Sequence, residues 1–446
     1  MADKIALNAR KAGNVLKTLT NDHRTSALKA IHDVLRDQKD AVLAANELDM
    51  KLAIEADLEQ SLIKRLDLGK GDKYDAMLQG ILDVAALDDP VGNITLSRHL
   101  DNGLDLYRVS SPIGVLLVIF EARPEVIANI SALALKSGNA AILKGGKEST
   151  NTFSVMAEAM TTALSKTSIP HNAVQLITTR DEVSALLEQD DYIDLVIPRG
   201  SNQLVKNIKS NTRIPVLGHA DGICSVYIHS DAAPDMSARV VTDSKLNYPA
   251  ACNAVENLLL NKDLLDNRGE LLEKTLLSLL KNGVELRLTA EVSQAISSIP
   301  SLSPFSSQIK PASESDFYTE YTAPILSVTS VSSVQEAIEH INQHSSKHTD
   351  SILTESESIA KKFMKGVDSA GVYWNCSTRF ADGFRYGFGT EVGVSTNRLH
   401  ARGPVGLEGL MTYQYQIRGH GQVAGDYIGG GGTRPFKHQE FKVTDL

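Results

Sequence analysis

Three cysteines, Cys224, Cys252 and Cys376, carry the most reactive side-chain chemistry in this sequence. Their number is odd and their spacing wide, which fits neither a disulfide framework nor a zinc cluster, so no metal site is expected. Cys252 stands apart by its surroundings. In Asn247-Tyr-Pro-Ala-Ala-Cys-Asn-Ala-Val-Glu256, Pro249 and two small alanines leave room beside the sulfur and put the thiol on a turn. A free thiol has a pKa of ~8.5, so a nucleophile there needs a nearby cation, a helix N-terminus or a hydrogen-bond donor to become thiolate near neutrality. Cys224, in Gly222-Ile-Cys-Ser-Val-Tyr-Ile228, alternates like a sheet residue and reads as packing.

The elements that must position such a thiol are legible in the hydrophobic pattern. Over residues 5–87, Ala, Leu, Lys, Glu and Asp dominate and apolar residues recur at three- and four-residue steps, as in Ala27, Leu28, Ile31, Val34 and Leu35. That spacing predicts helices, stopped by Asp88-Asp89-Pro90. Residues 93–109 carry the turn Asp101-Asn-Gly103 between two strand-like runs, a β-hairpin and a candidate interaction arm. A βαβ rhythm follows, with strands at 114–120, 140–143, 173–177 and 194–197 and helices at 125–137, 152–165 and, after the turn Pro198-Arg-Gly-Ser201, at 202–209. Apolar strands alternating with helices imply a parallel sheet covered on both faces, the usual setting for a nucleotide. A second α/β block spans 236–373, with a strand at 257–260, a long helix at 268–282 and a Ser/Pro-rich loop at 297–307. From Trp374 the chain is rich in Gly, Arg and Tyr and ends in Ile428-Gly-Gly-Gly-Gly-Thr433, a tail that needs other protein surface to stay ordered.

Composition bounds the answer. At 446 residues the chain is about three times a ~150-residue domain, so two or three domains are expected. Lys plus Arg is 45 and Asp plus Glu 54, a balance of −9 that argues against a nucleic-acid surface built on phosphate neutralisation. No apolar run approaches the ~20 residues of a membrane span, and the first residues lack a secretory pattern. A cytoplasmic protein with reduced thiols is expected.

Several segments, in chain order, resemble the aldehyde dehydrogenase superfamily. Leu133-Ala-Leu-Lys-Ser-Gly-Asn-Ala-Ala-Ile-Leu-Lys144 is similar to its helix, Gly-Asn turn, strand and cofactor-contacting lysine, and Pro198-Arg-Gly-Ser201 to its Gly-Ser turn at a helix start. Thr319-Glu-Tyr-Thr-Ala-Pro324 resembles the element whose glutamate holds the nicotinamide ribose, and Cys252 falls at the nucleophile position. Four further segments narrow the resemblance to the gamma-glutamyl phosphate reductase family. These are Phe120-Glu-Ala-Arg-Pro-Glu-Val126, Pro249-Ala-Ala-Cys-Asn253, the stretch 331–352 with His348-Thr-Asp350, and Glu391-Val-Gly-Val-Ser-Thr396 with Leu399 to Leu410.

The resemblance implies an α/β aldehyde dehydrogenase-like fold, with an NADP-binding domain over 1–91 and 110–235 plus part of 374–405, a catalytic domain over 236–373, and oligomerisation arms at 92–109 and 406–446. It implies reduction of L-glutamyl 5-phosphate by NADPH to L-glutamate 5-semialdehyde and phosphate, the second step of proline synthesis from glutamate, through a Cys252 thioester. Cys252, Arg123 and Asn253 are the expected catalytic residues; Lys144, Lys147, Gly200, Ser201 and Glu320 the expected cofactor contacts; and Arg123, His219, Asn375, Thr378 and Arg379 the expected substrate contacts. Val216 stands where hydrolytic relatives carry a water-activating glutamate, which protects a thioester from hydrolysis. Arg123 replaces an asparagine oxyanion donor, the alternative being an ion pair with Glu121 or Glu125. Lys147 stands three residues after Lys144, where NAD-preferring relatives have a glutamate, and so favours the 2′-phosphate of NADP; the alternative is a solvated surface lysine. His219 binds phosphate or is structural, and His348 orients the cysteine loop or is structural.

A homo-oligomer is expected, and a transient contact with a separate glutamate 5-kinase, because an unstable acyl phosphate must reach this chain. Two competing readings are a non-phosphorylating semialdehyde dehydrogenase of the same superfamily and a non-catalytic assembly partner that kept the fold. Val216 argues against the first, and the presence of Cys252, Lys144 and Glu320 against the second.

Overall fold

The chain opens with five helices, Ala2–Leu16, Asn21–Asp37, Lys39–Glu55, Gln60–Leu66 and Lys73–Ala86, in a computed structural model that describes residues 2–121, 123–267 and 269–442. The second shows how sequence sets its bounds. Thr20 accepts a hydrogen bond from the His23 N–H at its start, and Ala27, Leu28, Ile31 and Leu35 form its buried stripe. The fully buried Arg24 ties that helix to the expected stop by donating to Asp89 Oδ1 at 2.6 Å.

The helices pack on a four-stranded parallel sheet in the order Val174–Ile177, Ala140–Lys144, Val115–Phe120, Leu195–Arg199. All six residues of Val115–Phe120 are buried, as a central strand covered on both faces requires. Asp194 anchors its start, accepting the Val115 N–H at 2.8 Å while pairing with Arg10 at 2.8 Å.

A second, seven-stranded parallel sheet runs in the order Ile309–Pro311, Glu285–Leu288, Ile325–Val331, Val255–Asn261, Cys224–Ile228, Thr349–Leu353, Gly371–Trp374. Strand alternation separates its two cores: Val226, Ile228, Leu258 and Leu260 face one, Tyr227 and Leu259 the other. This sheet begins at Cys224, earlier than the 236 expected from the sequence, because Cys224–Ile228 pairs with Val255–Asn261 rather than with the first sheet. The helix expected over 268–282 is Glu270–Lys281, preceded by the separate helix Lys262–Asn267, with Arg268 outside the described residues. The stretch 297–307 is not an open loop: Pro300–Gln308 winds as 3₁₀ helix, which its prolines and serines tolerate.

The hairpin strands Ile94–Asp101 and Leu104–Pro112 join two pieces of the tail, Met411–Arg418 and Gln439–Glu440, in a separate antiparallel sheet. Earlier tail residues return to the first sheet, where Val392, Val405, Leu407 and Leu410 enter its core. No helix among the described residues is long and apolar enough to cross a membrane. Glu121 and Gly200 follow strands of the first sheet and Lys144 ends one, whereas Cys252, Gly222 and His348 precede strands of the second.

Candidate active site

Cys252 lies half-buried on the turn between the helix Pro234–Leu246 and the strand Val255–Asn261. Three contacts hold that turn. The fully buried ion pair Lys245–Glu256, 2.6 Å, joins the helix end to the strand start. The Cys224 thiol donates to the Cys252 carbonyl at 3.4 Å, so Cys224 is packing with one weak bond to the loop. Gly222 presses on the Cys252 backbone so closely that any Cβ there would strike its carbonyl oxygen and Cα. The Cys252 N–H has no acceptor among the described residues, which leaves an open donor on the residue that carries the thiol.

Two histidines face the sulfur. One ring nitrogen of His219, one of His348 and the Cys252 sulfur all lie within 4.8 Å of one another. The rings stand at 83° with centroids 5.1 Å apart. His219 Nδ1 is 2.9 Å from the Val394 carbonyl, which can only accept, so Nδ1 carries the proton and Nε2 the lone pair. His348 is fully buried; its Nδ1 meets Thr349 Oγ1 at 2.9 Å and its Nε2 has no partner.

Two arginines also act on the sulfur. Arg199 and Arg379 both interact with the charge of Cys252. Burial lowers the pKa of each. For Arg199, the Glu391 carboxylate works against that effect and the Arg123 guanidinium adds to it. Glu391 in turn is pushed up by burial, opposed by Arg199 and by the Gly383 N–H, which donates to it at 2.8 Å. Among the described residues neither the Arg199 nor the Arg379 guanidinium makes a hydrogen bond or an ion pair. Arg379 is only 8% exposed and its Nε is buried without a partner. Guanidinium donors without partners, acting on the charge of a thiol, favour an anion.

The expected site residues divide by what their polar atoms do. Arg123 is exposed and forms no ion pair with Glu121 or Glu125 among the described residues. Asn253 donates to the Ala381 carbonyl at 2.9 Å, and the Thr378 hydroxyl donates to the Asn253 carbonyl at 2.7 Å. Both therefore clamp the tail onto the cysteine loop. Asn375, at φ 54°, spends its amide on Thr354, accepting from the N–H at 3.0 Å and donating to the carbonyl at 2.9 Å. It also lines a cavity of about 880 Å³ with Asp243, Asn247, Cys376 and Phe380.

On the opposite side, Gly200 and Ser201 open the helix Asn202–Ser210, and the Ser201 N–H donates to Glu121 Oε2 at 2.9 Å. A protein carboxylate thus occupies the anion position of that helix start. Lys144 ends its strand, Lys147 is exposed two glycines later, and Glu320 is half-buried beside His219. Burial raises the Glu320 pKa, while the Gly222 N–H and His219 oppose it.

Arg199, Glu391 and the Lys245–Glu256 pair are not marked as site residues by sequence pattern. Arg199 carries one signal, an arginine ending an apolar strand immediately before Gly200.

The aldehyde dehydrogenase family model matches residues 1–298 and 309–394. The gamma-glutamyl phosphate reductase of Saccharomyces cerevisiae is 54% identical over 452 residues, 99% of this chain and 98% of the relative. A probable gamma-glutamyl phosphate reductase of Schizosaccharomyces pombe is 52% identical over 98% of this chain and 97% of its own length. The crystal structure of the Thermotoga maritima gamma-glutamyl phosphate reductase superposes with a TM-score of 0.89 at 37% identity, covering 95% of this chain and 99% of that one. The chain is an oxidoreductase that belongs to the aldehyde dehydrogenase family and, within it, to the gamma-glutamyl phosphate reductases.

Proposed function

We propose that the chain reduces L-glutamyl 5-phosphate to L-glutamate 5-semialdehyde and phosphate with NADPH, through a thioester on Cys252. The observation that carries this reading is the pair of unmatched guanidinium groups, Arg199 and Arg379, beside a thiol whose backbone N–H is open.

The residues act in sequence. His219 Nε2 takes the Cys252 proton, and the thiolate attacks the acyl carbon while the developing oxyanion rests on the Cys252 N–H. The C–O bond to phosphate breaks with its electron pair, and the leaving dianion is received by Arg199, with Arg123 at the mouth of the site. Arg379 then remains for the substrate α-carboxylate. Lys144, Lys147, Gly200, Ser201 and Glu320 would hold NADPH, which when bound would supply the hydride that reduces the acyl carbon; the C–S bond then breaks with its electron pair, freeing the semialdehyde and returning Cys252 as thiolate. A pyrophosphate on the Ser201 N–H would exchange with Glu121. Val216 contributes a half-buried apolar side chain where a base for water would stand, so the thioester is left to phosphate or hydride.

The reading extends to assembly in the cytoplasm. The strand Met411–Arg418 has one edge paired and exposes Tyr413, Tyr415 and Ile417, a surface for a second copy in a homo-oligomer. A transient kinase contact would deliver the acyl phosphate.

The decisive assay runs the reaction backward: semialdehyde oxidation by NADP should require inorganic phosphate and vanish in Cys252→Ala. Phosphate-independent oxidation would overturn the proposal in favour of a non-phosphorylating dehydrogenase.

A further inference from the structure

We propose that Cys252, His219 and His348 form a reversible site for a borderline-soft divalent cation of the Zn²⁺ class, and that a cation bound there silences the nucleophile. No spacing in the sequence announces it, because the three donors come from separate loops far apart in the chain.

The donor chemistry selects the ion. One thiolate and two imidazole nitrogens are the ligand types of Zn²⁺, and the absence of a carboxylate from the group disfavours Mg²⁺ or Ca²⁺. Both imidazoles are prepared for the task. The His219 Nδ1–H is fixed on the Val394 carbonyl, the partner that a metal-ligating histidine commonly has, which leaves Nε2 unprotonated. His348 Nε2 is buried without any hydrogen-bond partner, a cost that a metal bond would remove.

Geometry sets the remaining requirement. Tetrahedral coordination with metal–sulfur near 2.3 Å and metal–nitrogen near 2.0–2.1 Å puts donors about 3.3–3.6 Å apart. The three atoms lie within 4.8 Å of one another, so closure needs inward movement of about 1 Å. Cys252 on its turn and the half-buried His219 can move by that much, while the buried His348 supplies a fixed point. The fourth position stays open to water or to a substrate oxygen.

Inhibition rests on the role given to Cys252 above, but binding does not, so the two are separable. The test titrates the full-length chain with Co²⁺ in the absence of substrate and follows the thiolate-to-Co²⁺ charge-transfer absorption. One equivalent should develop the band. Cys252→Ser should abolish it, and His219→Gln and His348→Asn should each weaken Co²⁺ binding by at least about tenfold. Zn²⁺ should compete for the site, raise the melting temperature of the wild-type chain and inhibit its phosphate-dependent activity, with a chelator restoring it. Since His348 is buried, His219→Gln provides the second, half-exposed ligand test, with circular dichroism reporting the fold of each variant. A missing band at one equivalent, or equal Co²⁺ affinity in folded His219→Gln, would overturn the proposal. A band that forms without inhibition would leave the metal site standing and remove Cys252 as the nucleophile.

Discussion

Lys245 Nζ stands 2.6 Å from Glu256 Oε2 with both side chains fully buried, and the turn that carries Cys252 lies between them. Burial pushes the lysine pKa down and the glutamate pKa up, each opposed by the other's charge. Lys245→Met would leave Glu256 as an uncompensated buried acid, already short of a partner at Oε1. It should cost about 3–5 kcal/mol in denaturant unfolding. The double variant Lys245→Met, Glu256→Met should recover most of that loss, because an apolar pair has no charge to desolvate. A single variant that costs no more than the double would show that the pair is not coupled.

Gly222 gives a more local test of the same loop. A methyl group there would drive into the Cys252 backbone, so Gly222→Ala must shift the nucleophile. A displacement of about 1 Å is enough to lower kcat by roughly a hundredfold. The alkylation rate of Cys252 should change in parallel while far-UV circular dichroism is preserved. Wild-type kcat in Gly222→Ala would mean that the loop yields without moving the sulfur.

Much of this arrangement is readable in the sequence, for a physical reason. Buried parallel strands must be continuously apolar, so Val115–Phe120 shows itself as a run, and the small residues beside Cys252 mark a turn. Short edge strands such as Ile309–Pro311 carry no period to detect. Donor direction is also invisible. Asn375 and Thr378 have the right chemistry for a substrate, yet their polar atoms are spent on Thr354 and on Asn253. Arg199 shows the reverse, since an arginine at a strand end reads as solvated until its missing partners are seen.

Arg199 therefore separates function from stability. A half-buried guanidinium without a hydrogen bond is held at a cost, and that cost makes sense where an anion arrives. Arg199→Met should lower kcat/KM for the acyl phosphate by about 10²–10³ while the melting temperature stays equal or rises. A large fall in melting temperature with unchanged kcat/KM would make Arg199 a structural partner of Glu391 instead.

Lys147 decides the cofactor argument. It is exposed at the start of the 3₁₀ turn Lys147–Ser149, so its replacement carries little packing cost. Lys147→Glu removes the cation and adds a carboxylate that repels a 2′-phosphate and accepts from a 2′-hydroxyl. The ratio of kcat/KM for NADP over NAD should fall by at least about tenfold, mainly through KM for NADP. An unchanged ratio would make Lys147 a surface residue.

Asp368 ties the turn before His348 to the tail. It pairs with Arg398 at 2.5 Å, Arg402 at 2.9 Å and Lys347 at 3.4 Å. These bonds, that from Arg398 foremost, hold its pKa down to about 2 from an ordinary 3.8. A carboxyl whose folded pKa is depressed binds protons more readily when unfolded, so its stabilising contribution is present in full above about pH 4 and disappears as pH falls through about 2. The pairs are partly exposed, so the effect should be modest and should shrink in salt. Asp368→Asn should unfold more easily at neutral pH and lose less of its remaining stability between pH 4 and pH 2 than the wild type does. Parallel pH profiles for the two proteins would show that the clip carries no proton-linked stability and that the tail is held by its other contacts, among them the packing of Val405, Leu407 and Leu410.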